Sequence, residues 1–124
     1  MMIEFYEFVI LQYLTVGTKM YKLIVFVPSS HKESLKSALF AEGAGKQGDY
    51  SHCCFETEGV GQFMPNNQAN PHIGTADKLE LVREYRVEFL VGEDRLERVI
   101  RSLKENHPYE EPAYDIIKLY QMKV

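Results

Sequence analysis

The sequence predicts a single α+β domain in which an antiparallel sheet carries two helices on one face. Two observations indicate this class. Segments with the two-residue alternation of strands enclose two segments with helical spacing, and each half of the chain follows the order strand, helix, strand. A length of 124 residues suits one domain with its own core. We place that domain at residues 20–124 and treat residues 1–19 as an N-terminal extension or arm.

The first half of the chain opens with a strand and a helix. Residues 21–27 are β-branched and aromatic, and Pro28 ends them, which is typical of a strand. Ser30 followed by Glu33 is a capping-box pattern and predicts the start of a helix. Gly43 is the expected stop of that helix.

A second strand is predicted at residues 51–58, where alternation places four side chains on one face: His52, Cys54, Glu56 and Glu58. The glycines of Gly59-Val60-Gly61 indicate a tight turn or bulge, after which the strand continues through Phe63. Residues 64–77 are rich in proline and asparagine and predict a loop.

The second half repeats this layout. Residues 81–91 alternate as a half-exposed strand, and residues 94–106 predict a helix before Pro108. The apolar positions of that helix follow helical spacing: Leu96, Val99, Ile100 and Leu103. Residues 114–120 predict the last strand. The complete order, β-α-β(β)-β-α-β, is that of the ferredoxin-like split βαβ sandwich.

Composition narrows the class of partner. The formal net charge of -4 and the mixing of acids with bases along the helices argue against a nucleic-acid binder. The longest uncharged run near the N-terminus, residues 8–18, is too short to span a membrane. The only cysteines, Cys53 and Cys54, are adjacent and unsuited to an intrachain disulfide. We therefore expect a cytoplasmic protein without nucleic-acid or membrane partners.

Two segments, residues 59–74 and 107–115, are dense in residue types that helices and strands do not need. We expect any specific ligand or subunit interface to involve them. The candidate residues are Gly59, Gly61, Phe63, Pro65, Asn70, Pro71, Gly74, His107, Pro108, Tyr109, Glu110 and Glu111.

These segments carry a resemblance to a known family. The motifs are Gly59-x-Gly61-x-Phe63-x-Pro65, Ala69-Asn70-Pro71-x-Ile73-Gly74 and His107-Pro108-Tyr109-Glu110-Glu111-Pro112-Ala113-Tyr114-Asp115. They resemble the PII/CutA-like domain that is inserted in many bacterial members of the NGG-interacting-factor-three family. The resemblance covers about residues 20–119 and implies a PII/CutA-like fold, commonly trimeric, here as a stand-alone protein. The family's larger core holds a two-metal site without counterpart here, so its ligands correspond to no residue of this sequence.

A metal site is the alternative function. His52 and Cys54 would share a strand face, and His107 could join them as a ligand for copper or zinc. The competing interpretation is a half-buried strand with a hydrogen-bonded histidine and two small packing thiols. Any divalent metal therefore remains a possible cofactor rather than an established one.

The sequence evidence for a catalytic site is weaker than the evidence for a metal site. Cys53 or Cys54 with His107 and Asp115 could form a nucleophilic triad, but many cytosolic proteins contain such a trio. Glu110 and Glu111 could act as an acid–base pair, although neighbours on extended chain diverge. The glycines after the first helix do not form a P-loop, which precedes a helix. By analogy with PII-like trimers, Lys46, residues 66–70 and His107 could line a cleft for an anionic ligand.

From these observations the sequence predicts a small oligomeric module, most simply a trimer, that binds a ligand or protein partner and regulates rather than catalyses. The last strand and the two unusual segments are the expected subunit contacts. The identity of the small molecule or partner stays open.

Overall fold

The computed structural model describes residues 19–122, so residues 1–18 of the predicted arm lie outside the described range. Four strands and two helices follow one another: β1 (Met20–Pro28), α1 (Lys32–Ala41), β2 (Phe55–Phe63), β3 (Glu80–Gly92), α2 (Glu93–Asn106) and β4 (Tyr114–Lys118). Neither of these helices has the length and apolar content that a membrane crossing requires.

The strands form one sheet in the order β2-β3-β1-β4, with every neighbouring pair antiparallel. Leu23 of β1 pairs with Phe89 on one side and Ile116 on the other, so β1 lies at the centre. Each helix thus connects two strands that run in the same direction with a third strand between them. This arrangement confirms the ferredoxin-like prediction.

Both helices pack on one face of the sheet, as predicted. The core joins alternate residues of β1 and β3 to one side of each helix: Leu23, Val25, Val27, Val87, Phe89, Val91, Leu35, Leu39, Val99 and Leu103. Each of these side chains is buried, because the two-residue period of the strands aims them all toward the helices. In the described residues, no element covers the opposite face of the sheet.

Strand β2 begins four residues later than predicted. His52 has a left-handed backbone (φ 59°), which a strand cannot contain. The neighbouring Cys53 amide donates instead to Gly45 O at 2.9 Å, and the Gly45 amide donates to Leu90 O at 2.7 Å. These long-range bonds dock the loop after α1 onto the sheet edge. The prediction that His52 shares a strand face with Cys54 is therefore wrong.

The glycines of β2 form neither the predicted turn nor a bulge. Gly59 pairs with Glu84 and Gly61 with Val82 in uninterrupted antiparallel register. At Gly61 a Cβ would collide with the Glu84 side chain, whereas nothing lies within 4 Å at Gly59. Gly61 is thus explained by close approach of a neighbouring side chain.

The predicted capping box at the start of α1 is also absent. Residues 29–31 form a short 3-10 turn, and the Ser30 hydroxyl contacts His31 Nδ1 at 2.8 Å instead of capping the helix. The helix then begins at Lys32. Its predicted end is confirmed, since Gly43 has a φ of 98° just beyond the last turn.

Candidate functional site

The two unusual segments lie against each other. The Asn70 amide donates a 2.9 Å hydrogen bond to Glu110 Oε2, and the ring centroids of Phe63 and Tyr109 are 6.1 Å apart. Segments forty residues apart in sequence are thereby joined into one surface.

Between the segments lies a cleft of about 290 Å³. Six of the predicted ligand or interface residues line it: Phe63, Pro65, Pro71, Tyr109, Glu110 and Glu111. The structure shows two further lining residues that are not among the predicted ligand or interface residues: His72, which follows Pro71 in the loop after β2, and Glu84, which lies in β3. Glu84 shows no sequence signal, because it occupies an ordinary polar position of an alternating strand.

The loop that forms one wall is ordered by its own backbone. Asn66 Oδ1 accepts hydrogen bonds from the amides of Gln68 and Ala69 at 2.9 and 3.1 Å, which is an Asx-type turn. The Asp77 amide donates to Pro65 O at 2.7 Å and closes the loop. Gly74 has a φ of 97° and lies beside the Phe63 ring, where a Cβ would be 3.4 Å from Phe63 Cε2.

His107 anchors the opposite wall. The ring is buried at 7% exposure, its Nε2 donates to Phe26 O at 2.7 Å, and its Nδ1 accepts from the Tyr109 amide at 3.1 Å. Both nitrogens are satisfied only in the neutral tautomer with the proton on Nε2. Burial lowers the pKa of His107 and keeps the ring neutral. His107 thus positions the loop through Pro108 and Tyr109.

Tyr109 turns its ring toward the cleft. The ring centroid lies 5.0 Å from that of His107 and 6.4 Å from that of His72. The Tyr109 hydroxyl is buried and makes no well-aligned hydrogen bond within residues 19–122, although the Glu84 carboxylate is its neighbour. Burial raises the Tyr109 pKa, and Glu84 raises it further, so the hydroxyl keeps its proton.

A second concavity, of about 570 Å³, lies on the uncovered sheet face. It includes the predicted residues Gly59 and Gly61, with Phe26, Thr57, Glu84 and Arg86. We call it the sheet groove. Glu84 lines both the groove and the cleft.

The predicted metal ligands are not assembled. His52 packs its ring 5.0 Å from that of Phe40, Cys54 packs against the core, and both nitrogens of His107 are occupied. Burial raises the pKa of Cys54, which disfavours the thiolate that binds metal. Across residues 19–122 no three His, Cys, Asp or Glu side chains are grouped to hold a metal ion.

The catalytic alternatives are likewise not organised. The Cys53 thiol points to Ser51 O at 3.7 Å, and Asp115 is paired with Ile24 in the sheet. Lys46, which the analogy placed at a ligand cleft, is not among the described residues that line the cleft or the groove.

No family model matches the chain. Over 105 residues it is 43% identical to a Halalkalibacterium halodurans protein named GTP cyclohydrolase 1 type 2 homolog, a match covering 85% of this chain and 28% of the relative. The chain thus spans less than a third of the length of that curated relative.

Solved structures show the same relationship. A Bacillus cereus protein related to NIF3 matches 84% of this chain with 26% of its own, at 39% identity and a TM-score of 0.73. The periplasmic divalent cation tolerance protein CutA from Archaeoglobus fulgidus covers 84% of this chain with 87% of its own, at a TM-score of 0.60. At 15% identity, this second match shows the fold alone.

Proposed function

Because this chain corresponds to the PII/CutA-like domain of NIF3-related proteins, we propose that it is a ligand-binding regulatory module whose ligand occupies the cleft. The module is cytoplasmic and acts as a homo-oligomer, in which a bound ligand alters contacts with other proteins. The GTP cyclohydrolase name belongs to relatives more than three times as long as the match, and we do not extend that activity to this chain.

One observation supports this proposal above the others. The two segments that are unusual in sequence form the two walls of one preorganised cleft, and the Asn70–Glu110 hydrogen bond joins them. A concave, mostly apolar site with a few convergent polar groups is the usual form of a small-molecule site.

The catalytic groups that the sequence suggests are not arranged around the cleft. His107 offers no free acceptor to act as a general base, because both of its nitrogens are already hydrogen-bonded within the fold. The thiols of Cys53 and Cys54 lie near the start of β2, away from the residues that line the cleft.

The uncovered sheet face supports the homo-oligomer. Phe55 of β2 and Ile117 of β4 lie on that face of the two edge strands, and their side chains are 68% and 47% exposed. The sheet groove between them alternates Glu84, Arg86 and Glu88, a pattern that can pair with itself across a symmetry axis. We therefore propose that copies of the chain meet through this face, which leaves the cleft at its rim.

The experiment is an NMR fragment screen on the assigned protein, with the subunit number measured by native mass spectrometry. We expect a subset of fragments to shift the signals of residues 63–73 and 107–113. Phe63→Ala should abolish those shifts, whereas Tyr50→Ala, which removes an exposed ring outside the cleft and the sheet groove, should leave them unchanged. Fragment shifts that map elsewhere, or a monomer at every concentration, would contradict the corresponding part of the proposal.

A further inference from the structure

Resting on the proposed function, we infer that the ligand of the cleft is a small organic cation, of the alkylammonium or guanidinium type. The charge, the walls and one buried hydroxyl of the cleft lead to this class.

Charge is the first argument. Three carboxylates, those of Glu84, Glu110 and Glu111, line the cleft, and no lysine or arginine of residues 19–122 does so. A phosphate or carboxylate ligand would meet unbalanced negative charge in a partly desolvated site. A positive ligand would compensate that charge. This sign is opposite to the anionic ligand expected by analogy with PII-like trimers.

The walls give the second argument. The rings of Phe63 and Tyr109 stand 6.1 Å apart between centroids, and Pro65 and Pro71 complete an apolar lining. Aromatic faces attract alkylammonium and guanidinium groups through their quadrupoles. Apolar walls with acidic edges therefore fit an ion whose charge is spread over carbon-bearing groups.

The Tyr109 hydroxyl gives the third argument. It is buried, lacks a well-aligned partner among the described residues and adjoins the half-buried Glu84. A guanidinium or ammonium N–H bound by Glu84 would also find the phenolic oxygen as an acceptor. Such a ligand would donate to the phenolic oxygen, while the Tyr109 proton points to the Glu84 carboxylate beside it.

A bare metal ion fits less well. Glu110 is already engaged by the Asn70 amide at 2.9 Å, and no three His, Cys, Asp or Glu side chains of the described range form a ligand group. The cleft of about 290 Å³ also far exceeds the space of one ion, since a water molecule takes only ~30 Å³.

The test compares charged probes with neutral molecules of matched shape on the full chain. Tetramethylammonium is compared with tert-butanol, methylguanidinium with methylurea, and acetate serves as the anion. Binding is followed by NMR shifts of Tyr109 and Phe63 at low ionic strength. We expect each cation to bind about tenfold more tightly than its neutral match, a difference of about 1.4 kcal/mol. Added salt should weaken the cations alone.

Two variants localise the effect. Glu84→Gln and Glu111→Gln should each lower cation affinity about fivefold while leaving the neutral probes unchanged. Glu105→Gln is the control, because Glu105 is an exposed carboxylate of α2 that lines neither the cleft nor the sheet groove. Glu111 is exposed and makes no hydrogen bond or ion pair within the described residues, so its variant should fold even if Glu84→Gln does not.

The outcomes separate the two proposals. Neutral probes that bind in the cleft as tightly as the cations, or acetate that binds better, would overturn the cation and leave the ligand-binding module standing. If neither these probes nor the wider fragment panel shifts the signals of the cleft, both the cation inference and the proposed ligand-binding function would be overturned. Cations that bind only by dissociating the oligomer would show that a basic side chain of a second copy fills the cleft, which also overturns this inference.

Discussion

The Asn70 amide and Glu110 Oε2 meet at 2.9 Å, and this bond joins the two loops that enclose the cleft. Glu110 therefore has a structural task that its neighbour Glu111 lacks, although both line the cleft and both are exposed. The pair offers a matched comparison.

We predict that Glu110→Ala loosens the cleft and Glu111→Ala does not. Removing the acceptor frees the Asn70 amide, and we expect a loss of about 1 kcal/mol in the free energy of unfolding, because the bond is charge-assisted but solvent-accessible. Hydrogen exchange of the Asn70 amide should accelerate in Glu110→Ala alone. Equal exchange in both variants would show that the bond is not formed in solution.

Gly61→Ala should disturb Glu84, whereas Gly59→Ala should not. A Cβ at Gly61 would overlap the Glu84 side chain, so the carboxylate must move away from Tyr109, at a cost of about 1 kcal/mol in stability. Gly59→Ala, with open space around it, should be neutral or slightly stabilising. The NMR signals of the Tyr109 ring should shift when the Glu84 carboxylate moves away. In a Glu84→Ala background the effect of Gly61→Ala should shrink, and strict additivity would argue against the contact.

Burial of His107 predicts a pH dependence of stability. Its pKa is lowered from the ordinary 6.5 by desolvation, which outweighs the opposing effects of Phe26 O and Glu84, while His31 and His72 lower it further. In the unfolded chain His107 therefore binds a proton more readily than in the folded chain. The free energy of unfolding decreases as pH drops below 6.5 toward the lower pKa of the folded state. Each unit by which folding lowers the pKa of His107 corresponds to a loss of about 1.4 kcal/mol in the free energy of unfolding at low pH.

Urea unfolding between pH 7 and pH 5 measures this dependence. His107→Gln keeps an amide donor for Phe26 O but removes the titration, so its slope should be flatter than that of the parent chain. His52→Gln provides the matched control for replacing an exposed histidine by glutamine. A parental slope in His107→Gln would assign the titration to another group.

A second titration concerns Glu56, which lies between Lys32 and Lys36 on the helix side of β2. The hydrogen bond from Lys32, then that from Lys36, lowers the pKa of Glu56 below 4.5. Its contribution to stability is present above 4.5 and is lost as pH falls through the lowered pKa. Lys36→Met should raise the Glu56 pKa in a carboxyl NMR titration and cost less than about 1 kcal/mol, since the group is partly exposed. Lys46→Met should leave that titration unchanged.

The strands, the helices and the cleft segments could be predicted because their signals are local. Helical spacing predicted Val99 and Leu103 in the core, and the composition of residues 59–74 and 107–115 identified most of the cleft. Residues that resist regular structure are noticeable in sequence without knowledge of their neighbours.

Other features depend on contacts that the sequence does not display. The delayed start of β2 results from the bonds of Gly45 with Cys53 and Leu90. The satisfied ring of His107 is another case, since its acceptor, Phe26 O, lies in β1. A histidine whose two ring nitrogens are hydrogen-bonded within the fold cannot be distinguished in sequence from a histidine that is free to bind a metal ion. His107 is therefore a candidate metal ligand on sequence grounds alone.

The two peptide groups of Phe26 fix both ends of the loop that forms one wall of the cleft. The Phe26 amide donates to Ala113 O at 3.1 Å and its carbonyl accepts from His107 at 2.7 Å, so residues 107–113 begin and end on one residue of the central strand. A short loop closed in this way has lost most of its conformational entropy when the chain folds. A molecule that binds against it has little disorder left to remove, and selectivity then depends on shape and charge alone.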